Sequence, residues 1–201
     1  MNEKFYALPV EKRNRIINAG FKVFAANSYK KSPVGEIAEE AGISKSLLFF
    51  YFHNKKDLYL FLLKRSEEIT KQKLLESGAY KGTDIFEIMY LGLLAKAEMM
   101  KEYPDMGKFA IKAYYEKDPE IVKEVREIVE PYTKAETNQS IPPIDPSKFK
   151  DGIDLAMMYQ DMYLASEGYL WRMQQMDGLD IDRMVEDYRK IIEFWKKLYL
   201  K

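Results

Sequence analysis

Between residues 33 and 52 the chain places small, apolar and polar residues at the offsets that a helix-turn-helix requires. Ala38 and Gly42 allow two short helices to approach and turn, while Ile37, Ile43 and Leu48 supply their shared core. Lys45, Ser46 and Leu47 stand at the leading end of the second helix, where short polar groups reach base edges in a major groove. The aromatic rings that follow fall beside the sugar-phosphate backbone. The chemistry implied is recognition, not bond-making. There is no Cys, His53 is the single histidine, and neither a phosphate-cradling glycine loop nor a metalloprotease motif is present. No catalytic residue, metal site or cofactor is therefore expected, and the reading is of a non-enzyme.

The elements that must position these residues are helical throughout. Apolar residues recur at three and four spacing along most of the chain, and no period-two run argues for strands. The expected fold is all-α with about nine helices: an N-terminal three-helix unit over residues 1–56 and a larger helical domain over 57–201. A first helix is predicted from Pro9 to Ala26, burying Ile16, Ile17, Phe21, Val23 and Phe24. Ser32 reads as the cap of the next helix, with Pro33 at its first position. Gly42 ends it, Ser44 caps the following one, and Asn54 caps a long helix with Asp57 as capping-box acid. That long helix is predicted over 55–75. Further helices are predicted from Thr83 to Glu102, 106–115, 119–131, 149–176 and 182–200, with the prolines of 137–148 reserved for a loop.

Overall charge is zero, but it is unevenly spread. Residues 1–56 hold ten Lys or Arg, Lys4, Lys12 and Arg13 among them, against five Glu, so the rest of the chain is net negative. That asymmetry suits a chain whose first part meets phosphates. The first ten residues mix charges with aromatics, and no stretch offers the roughly 20 apolar residues of a membrane helix. A cytoplasmic, soluble protein with no membrane partner is the expectation, and the absence of Cys fits a reducing compartment.

Three consecutive stretches, Ala25-Ala26-Asn27-Ser28-Tyr29, Ile37 to Lys45 and Leu48 to Leu58, together resemble the DNA-binding domain of the TetR family of bacterial transcriptional regulators. The resemblance covers about 50 residues. It implies that Ser32 contacts phosphate, that Lys45, Ser46 and Leu47 face bases or nearby backbone, and that Tyr51 and Lys55 grip phosphates. Phe49, Phe50 and His53 complete the candidate DNA-binding set. The chain departs from the family's pattern at Phe49 and Phe50, where tyrosines are common, and at Ser28 and Ser46, where glycines are. The Phe substitutions remove hydroxyls that can bind phosphate.

Residues 83–175 are dense in Met and aromatics. Phe86, Met89, Tyr90, Leu93, Met100, Tyr103, Phe109, Tyr114, Met158, Met162, Tyr163 and Trp171 are the candidates for lining a pocket for a small apolar or aromatic effector. Glu98, Asp161, Glu167 and Arg172 could meet its polar end. The last two helices carry apolar residues on more than one face, so a second copy of the chain is the expected partner, through Leu164, Leu170, Tyr188, Ile191, Ile192 and Trp195. The function implied is a ligand-responsive regulator, expected to be a repressor. It would bind a near-palindromic operator in double-stranded DNA as a homodimer and be released by its effector. The alternative is a helical scaffold or small-molecule-binding protein without sequence-specific DNA binding.

Overall fold

The computed structural model describes residues 3–137, 144–176 and 180–201, and among these the chain is all-α. Ten α-helices follow in order: α1 Glu3–Tyr6, α2 Val10–Ala26, α3 Val34–Glu40, α4 Lys45–Phe52, α5 Lys55–Glu76, α6 Ile85–Glu102, α7 Met106–Tyr114, α8 Val122–Thr137, α9 Leu155–Gln174 and α10 Ile181–Tyr199. Single 3₁₀ turns lie at Ala79–Lys81 and Pro146–Lys148. The element not anticipated is α1, a single turn too short to leave a periodic signal.

Backbone contacts group the chain into two compact units. The first comprises residues 1–69 and 102–137, so α7 and α8 fold with the N-terminal helices. Its core is aromatic. Phe21 packs on Tyr103 and Phe109, Phe24 packs on Tyr59 and Phe109, and Tyr29 packs on Tyr59, with ring centroids 4.9–6.2 Å apart. Such pairs add a directional preference to their large buried area. Gly20 lets α5 come close to α2: a Cβ there would lie 2.5 Å from Leu62 Cδ1.

The second unit comprises residues 70–101 and 138–201. Its core gathers Phe86, Met89, Leu93 and Met100 of α6, Met158, Met162 and Leu170 of α9, and Met184, Tyr188, Ile192 and Trp195 of α10. Buried inside it, the hydroxyls of Ser166 and Tyr188 are hydrogen-bonded at 2.7 Å, and Ser166 also donates to the Met162 carbonyl. An isolated antiparallel bridge pairs Phe149 with Leu200.

Several element boundaries differ from the sequence reading. Ser32 is not a cap; its Oγ donates to the Ser28 carbonyl at 2.9 Å, and Pro33 takes the cap position without a side-chain bond. Asp84, not Thr83, caps α6, its Oδ1 accepting from the N–H groups of Phe86 and Glu87. The carboxylate is the stronger acceptor for an unsatisfied first turn. Residues 149–154 stay outside α9 because Phe149 and Lys150 pair with the strand-like end at Tyr199 and Leu200, and Asp154 caps the helix. Helix α8 begins at Val122 rather than Pro119 and continues through Pro131. Of the loop expected over 137–148, residues 138–143 lie outside the described residues.

Candidate nucleic-acid interface

Helices α3 and α4 form the helix-turn-helix. Gly42 adopts φ +64°, a left-handed conformation that glycine tolerates best, and the Ile43 N–H reaches back to the Ala38 carbonyl at 2.9 Å. Arg15 of α2 locks the turn from outside, its Nε donating to the Ala41 carbonyl at 2.9 Å. Lys22 of α2 pairs with Glu40 of α3 at 2.7 Å. Ile37, Ala38, Ala41 and Leu48 are buried, as the sequence predicts.

Ser44 caps α4, its Oγ accepting from the Leu47 N–H at 3.1 Å, which fixes the helix start that carries Lys45 and Ser46. Both of those side chains are exposed and Leu47 is half-buried. Residues 45 and 49, and 46 and 50, are successive neighbours on one face. Phe49 is half-buried and Phe50 is 45% exposed. The Lys45 ammonium lies 5.8 Å from the Phe49 ring centroid, and that of Lys4 lies 5.4 Å from the Phe50 centroid. Lys45, Ser46, Phe49 and Phe50 therefore form one surface.

The remaining DNA-binding candidates occupy other positions. Ser32 is buried, and its hydroxyl already serves Ser28. Tyr51 is 5% exposed, its ring packed 5.7 Å from that of Phe5. His53 is exposed at the end of α4 with φ +60°, the one non-glycine residue with positive φ among those described. Lys55 donates to the Lys30 carbonyl at 3.2 Å and lies 4.6 Å from the Tyr29 ring centroid. Asn54 caps α5 through the Asp57 N–H at 2.8 Å, but the box does not close, because the Asn54 N–H donates to the Phe52 carbonyl.

The turn before α8 and the first turn of that helix brace this corner. Tyr29 donates to Glu120 at 2.8 Å, and burial followed by that bond pushes the phenol far above its ordinary range. Lys56 donates to the Glu120 carbonyl and to Glu124, both at 2.7 Å, and holds the Glu124 carboxyl below the usual carboxylate range.

The effector candidates divide between the units. Phe86, Met89, Leu93, Met100, Met158 and Met162 belong to the packed core of the second, with Tyr90 half-buried beside them and bonded by Arg189 at 2.9 Å. Tyr163 is half-buried and Trp171 is exposed in that unit. Tyr103 and Phe109 instead fill the first unit's aromatic core, and Tyr114 is exposed there. Of the charged candidates, Glu167 pairs with Lys96 and Glu98 with Lys101, while Asp161 and Arg172 are exposed.

Among the dimer candidates, Leu164 is 61% exposed and Ile191 half-buried, whereas Leu170, Tyr188, Ile192 and Trp195 are buried in their own protomer. Met157 and Phe194 stand outside the interface set expected from the sequence, and Trp171 stands in the expected pocket set. Met157, Leu164 and Trp171 recur every seven residues along α9, and all three are exposed, as are Phe194 and Leu198 on α10. That spacing was the available signal.

Among the described residues no helix is long and apolar enough to cross a membrane, and no group of three or more His, Cys, Asp or Glu is placed to hold a metal ion.

Residues 16–61 match the family model for bacterial regulatory proteins of the tetR family. A fatty acid metabolism regulator protein of Bacillus subtilis is 37% identical over 67 residues, which is 29% of this chain and 34% of that protein. The chain thus matches about a third of the length of that curated relative. Among solved structures, a TetR family transcriptional regulator from Chloroflexus aurantiacus superposes with a TM-score of 0.66 at 22% identity, covering 100% of this chain and 98% of the other. The regulator FadR from Bacillus subtilis, solved in complex with stearoyl-CoA, gives 0.54 at 19% identity, covering 90% and 96%. At these identities the structural likeness is one of fold. The family match falls on the segment that builds α3 and the capped reading helix, so over residues 16–61 the chain carries the segment characteristic of the tetR family of bacterial regulatory proteins.

Proposed function

We propose that this protein is a ligand-responsive DNA-binding transcriptional regulator, acting as a repressor on a near-palindromic operator as a homodimer. The observation that carries the reading is the capped start of α4, where Lys45 and Ser46 project as an exposed pair within the family-matched segment. A helix so presented enters a major groove, and a two-fold dimer offers two such helices about one turn of DNA apart.

The exposed apolar rows on α9 and α10, with Leu164 and Phe194 at their centre, support pairing with a second copy, because such rows are rarely left in water. The effector we propose is a small apolar molecule taken up among the Met and aromatic residues of the second unit. The names of the matched relatives, one a fatty acid metabolism regulator and one bound to stearoyl-CoA, favour a fatty acyl compound. Binding would shift the population toward a dimer unable to place both reading helices, weakening DNA affinity by its preference for that state.

The test is a selection from fragmented genomic DNA with purified protein, followed by affinity for the selected site across a salt series and with oleoyl-CoA or stearoyl-CoA added. A near-palindromic site whose log affinity falls steeply with log salt is the expected result, with release by the acyl compound. Absence of any preferred site at low salt would leave the helical scaffold reading in its place.

A further inference from the structure

We propose that α1 is an added part of the DNA-binding surface, with Lys4 as a phosphate contact carried to the recognition helix by the anchoring of Phe5. The assignment rests on the regulator reading above. A four-residue helical turn is not stable on its own unless something ties it down, and here the tie is explicit. Phe5 is 1% exposed and sits among the rings of Tyr51, Phe52 and Phe61, at centroid distances of 5.7, 4.8 and 5.4 Å. Tyr51 and Phe52 belong to the last turn of α4, so the turn is fastened directly to the far end of the recognition helix. The Arg13 guanidinium closes it from behind, donating to the Tyr6 carbonyl at 2.8 Å.

This anchoring puts the neighbouring Lys4, itself exposed, over the Phe50 ring at 5.4 Å. Phe50 lies one helical turn beyond Ser46 on the exposed face of α4, so Lys4 extends the row that begins with Lys45. The arrangement answers a chemical shortage. Neither Phe49 nor Phe50 has a hydroxyl to offer a phosphate oxygen, and each carries a lysine ammonium against its ring. A lysine ammonium carries three donors, and on an exposed surface its contact with a ring face is weak enough to be shared with a phosphate. Phe50 thus acts as a positioning residue for Lys4.

The experiment measures binding of the full-length chain to the duplex chosen by genomic selection, by fluorescence anisotropy between 50 and 300 mM salt. The unaltered chain is compared with Lys4→Gln, Lys4→Arg and Phe50→Leu. Lys4→Gln should weaken binding several-fold at low salt and lower the slope of log affinity against log salt by about one per protomer. Lys4→Arg should restore both, and Lys4→Gln combined with Phe50→Leu should lose less than the sum of the two. Circular dichroism melting should be unchanged by the lysine variants, since that side chain is on the surface. A Lys4→Gln protein with the slope and affinity of the unaltered chain overturns the assignment while leaving the regulator reading intact. An unaltered chain with no salt-dependent affinity for any duplex overturns both.

Discussion

The phenol of Tyr29 donates a 2.8 Å hydrogen bond to the carboxylate of Glu120, joining residues 91 positions apart and tying the turn before α8 to the segment between α2 and α3. Tyr29 is also the ring under the Lys55 ammonium and the neighbour of Tyr59, so one side chain meets a cation, an anion and an aromatic core. Tyr29→Phe keeps the ring and removes only the donor. Glu120 is exposed and can rehydrate, so the expected loss is about 1 kcal/mol, read as a lower urea midpoint with unchanged slope. Tyr29→Ala, which also opens a cavity, should cost about 3–5 kcal/mol.

Burial raises the phenols of Tyr29, Tyr59, Tyr103 and Tyr188, the last two to about 12. A group held protonated in the folded chain but free to ionise near pH 10 when unfolded favours folding below that pH and withdraws its contribution above it. Thermal stability should hold level from pH 8 to 9.5 and then fall progressively from pH 10 upward. Tyr188→Phe should make that decline shallower. An unfolding midpoint indifferent to pH between 10 and 12 would contradict the buried, neutral state of these phenols.

At Gly20 a methyl group enters only if Leu62 shifts, since a Cβ would sit 2.5 Å from the end of that side chain, which is itself fully buried. Although alanine is the better helix former by roughly 1 kcal/mol, overpacking against Leu62 should outweigh it. Gly20→Ala is expected to destabilise by about 1–3 kcal/mol, and Gly20→Ala with Leu62→Ala should recover part of the loss in a double-mutant cycle.

Leu164→Glu places a charge in the middle of the exposed row on α9 without touching the protomer's own core. Sedimentation should show a species at the protomer mass of 23.7 kDa, with affinity for a two-half-site operator reduced far more than affinity for a single half-site. A dimer that survives this change together with Phe194→Glu would move the proposed interface elsewhere.

Local chemistry was the legible part of the sequence. Ser44 and Asn54 cap the helices expected of them, and Gly42 makes the predicted turn, because each effect acts within four residues. Ser32 escaped because two short-range bonds compete for its hydroxyl, and spacing does not say that the Ser28 carbonyl prevails. Distant partners were the illegible part. Tyr188, Ile192 and Trp195 have the apolar character of an interface, and only the packing of α6 and α9 around them shows that they are internal to one protomer. Phe5 was invisible for the same reason, the three rings that bury it from other helices being 46 to 56 positions away.

The aromatic core that Phe21 and Phe24 share with Tyr103 and Phe109 sets an order of events during synthesis. The rings that close it lie more than 80 residues downstream of the two phenylalanines they cover. As the chain leaves the ribosome, the reading head emerges first, yet its apolar side stays uncovered until α7 has followed. Closing so long a loop is slow compared with local helix formation, and at ordinary elongation rates the exposed interval lasts on the order of several seconds. Nascent chains halted before α7 has left the ribosome should therefore be bound by hydrophobe-seeking chaperones, and those halted after it has emerged released.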